Sequence, residues 1–224
     1  AYLLIGLLAG VALLLLWRLP AGSTSIPSSS GFALTRDLLA RPIIRAAMLT
    51  TAIGHGLMIL VMNATPLAMS FCGLSLETSA EVIRWHMLGM FLPAFVAGPL
   101  VDRLGPTKMA VCGCLLLCLS AGVALSGLQQ AFFLLSSFLL GFGWNLLMVA
   151  GSTLLAQGHT ANERGQAQGL MELGNGVVAT GAAFASGALI STMGWSALNI
   201  AMLPLLLLAL LKLPLRRSQG GLSS

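Results

Sequence analysis

Few residues in this chain are equipped for chemistry, and the most informative is a carboxylate that ought not to be where it is. Glu172 lies well inside an apolar run, about 12 Å along a helix from the basic end at Arg164. Gln168, Glu172 and Asn175 recur at i, i+4 and i+7, and Ala179 and Ser186 continue the same stripe. A polar stripe in an otherwise apolar helix must turn away from hydrocarbon. A lone carboxyl there is costly to ionise, so it suits proton coupling; the alternative is a hydrogen-bonded glutamate that fixes helix packing. His55 is ten residues past Arg45, about 15 Å deep, and is flanked by Gly54 and Gly56. It is read as a histidine that binds a solute or carries a proton, or as an interhelical hydrogen bond. Asn63 lies two turns further along, facing much the same side, and packing is the favoured reading for it. Trp144 and Asn145 fall in the middle of another apolar run, where Gly141, Asn145, Met148 and Ser152 form a helical stripe of small and polar residues. The indole can stack on a flat or cationic solute, or simply fill space.

Other groups promise less. Glu81, Arg84 and His86 sit near one end of a run and suggest an interfacial ion pair or a gate. Cys112, Cys114 and Cys118 mimic a metal motif, but only the last two share a helix face and no histidine or acid joins them, so no metal is expected. No HExxH, Ser-His or paired-Asp constellation occurs, which argues against an intramembrane enzyme, and no cofactor is implied.

The elements that carry these residues are apolar. The chain has 224 residues, 57% hydrophobic and only 8% charged, too few to wet the surface of a soluble domain. Its solvent must be lipid. A spanning helix needs about 20 apolar residues, and seven stretches qualify or nearly so: 1–17, 43–71, 79–101, 107–125, 130–156, 166–192 and 196–213. Residues 21–31 (AGSTSIPSSSG) read as a flexible linker. Residues 32–41 set Phe32, Leu38 and Leu39 against Arg36, Asp37 and Arg41, as in a short amphipathic helix at a membrane surface. Pro42 then opens the second span, and Pro66, Pro93 and Pro204 are expected to kink theirs. Glycines 165, 169, 174, 176, 181 and 187 are expected to let neighbouring helices approach.

Threading the spans back and forth segregates the charge. Of eleven Lys and Arg, ten fall on the side of residues 18–41, and only Arg84 falls on the other. The positive-inside rule places the ten in the cytoplasm. Because the basic residues mark the ends of spans and form no patch, nucleic acid is not an expected partner.

One connection carries a pattern: Gly98, Asp102, Arg103, Gly105 and Lys108 in the string GPLVDRLGPTK. Gly98 is suited to close helix contact, Asp102 to accepting from a helix N-terminus, Arg103 and Lys108 to holding the loop at the cytoplasmic face, and Gly105 to the tight reversal. The pattern resembles the signature loop of the major facilitator superfamily, as do the runs Gly141–Asn145 (GFGWN) and Asn162–Gly165 (NERG). The basic cluster after Gly105 is thinned, and the GxxxGP motif of antiporter first halves is absent from the sixth span.

The resemblance implies an all-α, polytopic transmembrane helix bundle. Residues 1–18 would be the last helix of a first half cut short before Ala1, 19–41 a cytoplasmic linker, 42–215 the six-helix second half and 216–224 a cytoplasmic tail. It implies a secondary transporter of a small molecule in the lipid bilayer of a bacterial inner membrane. The missing first half would be its partner, and the chain is not expected to transport alone. A non-transporting receptor or scaffold is the alternative.

Overall fold

A computed structural model of the chain describes residues Gly31–Leu213, together with Gly6, Gly10, Val11, Leu13, Leu14, Leu15 and Trp17, which are helical. The span expected at 1–17 is thus described only at those positions, and the residues of the expected linker before Gly31 and of the tail after Leu213 lie outside the described residues. Contacts divide the chain into two units, Ala1–Ser30 and Gly31–Ser224, and the second carries all the candidate site residues.

The second unit begins with a surface helix, α1 (Gly31–Ala40), and a single residue later Pro42 starts α2 (Pro42–Phe71), where its missing N–H costs nothing. A turn with Gly73 at φ 73° leads to Ser75, whose hydroxyl caps α3 (Leu76–Phe91) by accepting from Thr78 N at 3.2 Å. The expected span at 79–101 is two helices: α3 ends at Leu92–Pro93, and α4 (Ala94–Leu104) follows. Pro66 and Pro204, by contrast, remain inside continuous helices. Gly105, at φ 81°, turns the chain into α5 (Pro106–Ser126), and α6 (Gln130–Gly158) follows.

The last helix, α7 (Arg164–Lys212), follows a short 3-10 turn (Ala161–Glu163) and is 49 residues long. Straight, it would reach about 74 Å, more than twice the ~30 Å of a hydrocarbon core. It is broken at Gly194 (φ 78°, ψ 177°), a left-handed backbone that only glycine adopts cheaply, so it provides two crossings joined by one residue. Large apolar side chains such as Leu88, Phe95, Leu115, Phe184 and Leu207 cover the outside. Such a surface belongs in lipid.

Helix α6 is the hub, and glycines make it so. A Cβ on Gly141 would lie 2.5 Å from the His86 carbonyl of α3, and one on Gly89 would strike the Phe138 carbonyl in return. Gly113 of α5 and Gly143 of α6 each leave 3.0 Å between such a Cβ and the other's carbonyl. Gly151 admits Thr51 of α2, and Gly54 admits Leu147. Polar bonds lock the same contacts: Ser120 Oγ donates to Ser136 O at 2.7 Å, and His86 Nδ1 to Ser137 O at 2.9 Å. The Trp195 indole, just past the break in α7, donates to Ala124 O at 3.0 Å. Cys114 is buried among these core side chains.

The glycines of residues 165–187 do not behave as expected. Gly165, Gly169, Gly176, Gly181 and Gly187 have open space where a Cβ would be, and only Gly174 is approached, by Met48 Cε at 3.5 Å. They lie on the face of α7 turned away from the bundle.

These contrasts predict opposite outcomes for one kind of substitution. Gly141→Ala or Gly89→Ala overpacks a backbone contact and should cost about 1–3 kcal/mol. Gly187→Ala meets nothing and should be neutral or slightly stabilising. Thermal unfolding of the purified protein in detergent separates the two.

Candidate functional site

Helices α6 and α7 both pack on α2 and touch each other only sparsely. Gly151 and Leu147 bring α6 against Thr51 and Gly54, while Met48 and Gly56 receive Gly174 and Val178 of α7. With α2 acting as a spacer, a groove opens between the other two. At its basic end it widens to a cavity of about 750 Å³, lined on one side by Ser152 and His159 and on the other by Arg164, Gln168 and Glu172. A second hollow of about 430 Å³ runs on along α6 past Met148 and shares Ser152 with the first.

The face that α6 offers to the groove keeps Met148 and Ser152 of the stripe read from the sequence but not Asn145. Asn145 is 8% exposed, and its Nδ2 donates to the Met90 carbonyl at 2.9 Å, beside the proline break between α3 and α4. Its Nδ2 is thus engaged by backbone, while its Oδ1 has no partner among the described residues. The neighbouring Trp144 is half-buried and takes the outward place, four residues before Met148 and eight before Ser152.

Trp144 Nε1 donates to His55 Nδ1 at 3.2 Å, with the ring centroids 6.1 Å apart. An indole N–H can only donate, so the imidazole in this bond is neutral and carries its proton on Nε2. Protonating Nδ1 breaks the bond. Glu172 lies within electrostatic reach of His55, so α2, α6 and α7 each bring one candidate side chain to the same region.

Other sequence candidates disperse. Gln168 joins Glu172 in the cavity wall. Asn175 is 4% exposed, outside the cavity lining, and its amide has no partner among the described residues. Asn63 is exposed and stands apart from the cavity. Of the signature loop, Gly105 makes the reversal as expected, and Asp102, Arg103 and Lys108 are exposed. Asp102 forms no cap on α5, whose first turn starts at Gly105 without a side-chain cap, and Gly98 faces open space. Near the opposite end, Glu81 accepts from Gln130 Nε2 at 2.8 Å instead of pairing with exposed Arg84, and buried His86 serves packing.

Sequence reading missed the charged clamp beside the cavity. The Arg41 guanidinium grips Glu163 with both ends of its fork, at 2.9 and 2.8 Å, and also donates to Gly158 O at 3.0 Å and Asp37 at 2.7 Å. Glu163 closes a capping box with Thr160, whose N–H it accepts at 2.8 Å. The TxxE spacing was a legible signal for that box; nothing local pointed to an arginine 122 residues away. Hydrogen bonds from Arg41, then the Thr160 N–H, hold the Glu163 carboxyl at about 2. Glu163 and Asp37 push Arg41 further up.

Taken together, the helices and the side-opening polar groove define a polytopic helical membrane protein. The chain belongs to the Major Facilitator Superfamily, whose sequence profile matches residues 51–223. It is 34% identical over 186 residues to the riboflavin transporter RfnT of Brucella anthropi, covering 83% of this chain and 46% of the relative. Two Bacillus subtilis proteins are also similar. The uncharacterized MFS-type transporter YdeG is 34% identical over 52% of this chain and 27% of its own length. The putative niacin/nicotinamide transporter NiaP is 30% identical over 70% and 40%. The chain spans about half the length, or less, of the curated relatives it matches. No solved structure matches it significantly.

The clamp gives a pH prediction. Because the Glu163 carboxyl is held below its ordinary 4.5, its stabilising contribution is complete above that value and is lost as pH falls towards about 2. Unfolding midpoints in detergent should therefore show no step from this pair between about pH 8 and 5. Glu163→Gln should lower stability at neutral pH and flatten the acid-side fall.

Proposed function

We propose that this chain is the second half of a secondary transporter that moves a small solute by alternating access, with the groove between α6 and α7 as its share of the solute site. The family supports the transport reading, and the observation that carries the site is the convergence of His55, Trp144 and Glu172 beside a polar cavity. A volume of about 750 Å³ suits a small organic molecule, since such pockets run from about 300 to 1,000 Å³. Two relatives named for riboflavin and for niacin or nicotinamide favour a flat heteroaromatic solute. Trp144 is the natural surface for it.

In this reading residues 1–18 end the first half, 19–41 link the halves in the cytoplasm, 42–215 form the second half and 216–224 a cytoplasmic tail. The cavity opens towards the cytoplasmic side of a bacterial inner membrane, and the first half closes it. Asp102, Arg103 and Lys108 are free to brace that half. Glu172 takes up the coupling proton. Protonating His55 on Nδ1 would break its bond from the Trp144 indole, the surface proposed for the solute. Proton and solute are thereby tied to one side-chain arrangement.

Two variants in the full-length transporter, reconstituted in proteoliposomes, test this. Trp144→Ala should raise KM for a flat heteroaromatic solute about two- to thirteen-fold, as loss of an aromatic contact worth ~0.5–1.5 kcal/mol requires, and Trp144→Phe should recover most of it. Glu172→Gln should abolish the stimulation of transport by a pH gradient while leaving solute binding. Unchanged pH-driven transport would eliminate the proton role.

A further inference from the structure

The turn between α6 and α7 supplies His159, Ala161 and Arg164 to the cavity wall. Its position is set from outside. Gly158 lies on the start of α2 so closely that a Cβ there would be 2.8 Å from both Ile43 and Ile44. The Arg41 guanidinium then reaches across from the junction of α1 and α2 to hold the Gly158 carbonyl and both Glu163 oxygens. Thr160 and Glu163 close the turn on itself, so anchoring Glu163 anchors the whole turn. A third tie stands alongside, from Gln166 Nε2 to Thr35 Oγ1 at 2.6 Å. Beneath them Leu38 and Ile44 are fully buried. Arg41 and Glu163 side chains are 31% and 15% exposed, and the fork makes both hydrogen bonds at once, an arrangement lysine cannot reproduce.

Resting on the proposed solute cavity, the geometry points to Arg41 and Glu163 as positioning residues for transport: they hold the α6–α7 turn, and through it the end wall of the cavity, in the place the solute requires. Neither side chain lines the cavity. Their effect is transmitted by the turn, with α1 serving as a strap tied to this bundle.

The test uses the full-length transporter, with a nitroxide at exposed Asn162, outside the cavity lining, for the motion readout. Arg41→Gln should speed the motion of the label and raise KM about five-fold with kcat changed less than about two-fold, the pattern of weakened binding without lost turnover. Glu163→Gln keeps the side chain's size and its Thr160 contact, and it carries the same test where Arg41→Gln disrupts folding. Arg41→Lys should give intermediate values. A short cross-link between cysteines placed at Thr35 and Gln166 should restore both readouts in the Arg41→Gln protein. A label as still as in the parent overturns the clamp. A mobile turn with an unchanged KM overturns the positioning role; the Trp144 and Glu172 variants report on the cavity separately, so that result leaves the cavity reading standing.

Discussion

Inside a bilayer, hiding apolar side chains from water gives helices no reason to associate, so association rests on close backbone approach and on polar groups with nowhere else to go. Helix α6 meets both demands. Its glycines 141, 143 and 151 let α3, α5 and α2 come within backbone contact. The polar groups along the same helix are then used up locally: Ser136 and Ser137 carbonyls receive Ser120 and His86, and Asn145 supports the Met90 carbonyl at the proline break. A side chain that looks functional by type is consumed by the backbone it sits against.

The groove follows from the same constraint. Because α2 offers Gly54 to α6 and Gly56 to α7, both helices approach it closely and leave much of the space between themselves unfilled. The glycines on either side of His55 permit both approaches while the imidazole meets the indole of α6. Glu172 is exposed on the third helix, where charge is tolerated because a cavity adjoins it.

The spans were legible because hydrophobic runs of the right length have few alternatives in a chain this poor in charge. Pro42 and Gly105 act through local backbone chemistry and were readable for that reason. Side-chain direction was harder. The sequence stripe through Asn145 and Met148 was close in angle to the true face, yet a shift of one position exchanges Trp144 for Asn145 and so exchanges a half-buried ring bonded to His55 for a buried amide. The glycines of residues 165–187 were read as packing sites because small residues usually are; which face of α7 meets the bundle depends on the other helices, not on α7 alone. The Arg41–Glu163 pair was invisible, since its members are far apart in the chain and each has a nearer explanation, Asp37 for one and the capping box for the other.

The break at Gly194 has a mechanical meaning. A single residue has no slack to take up, so the two arms of α7 cannot drift apart as a pair joined by a long loop would. One arm is laid along α2, and the other is fastened near its start to Ala124 of α5, so the two ends that meet at Gly194 stay together. Residues 164–212 are thus two arms on one joint, and the wall that bears Glu172 shares its helix with the arm held against α5.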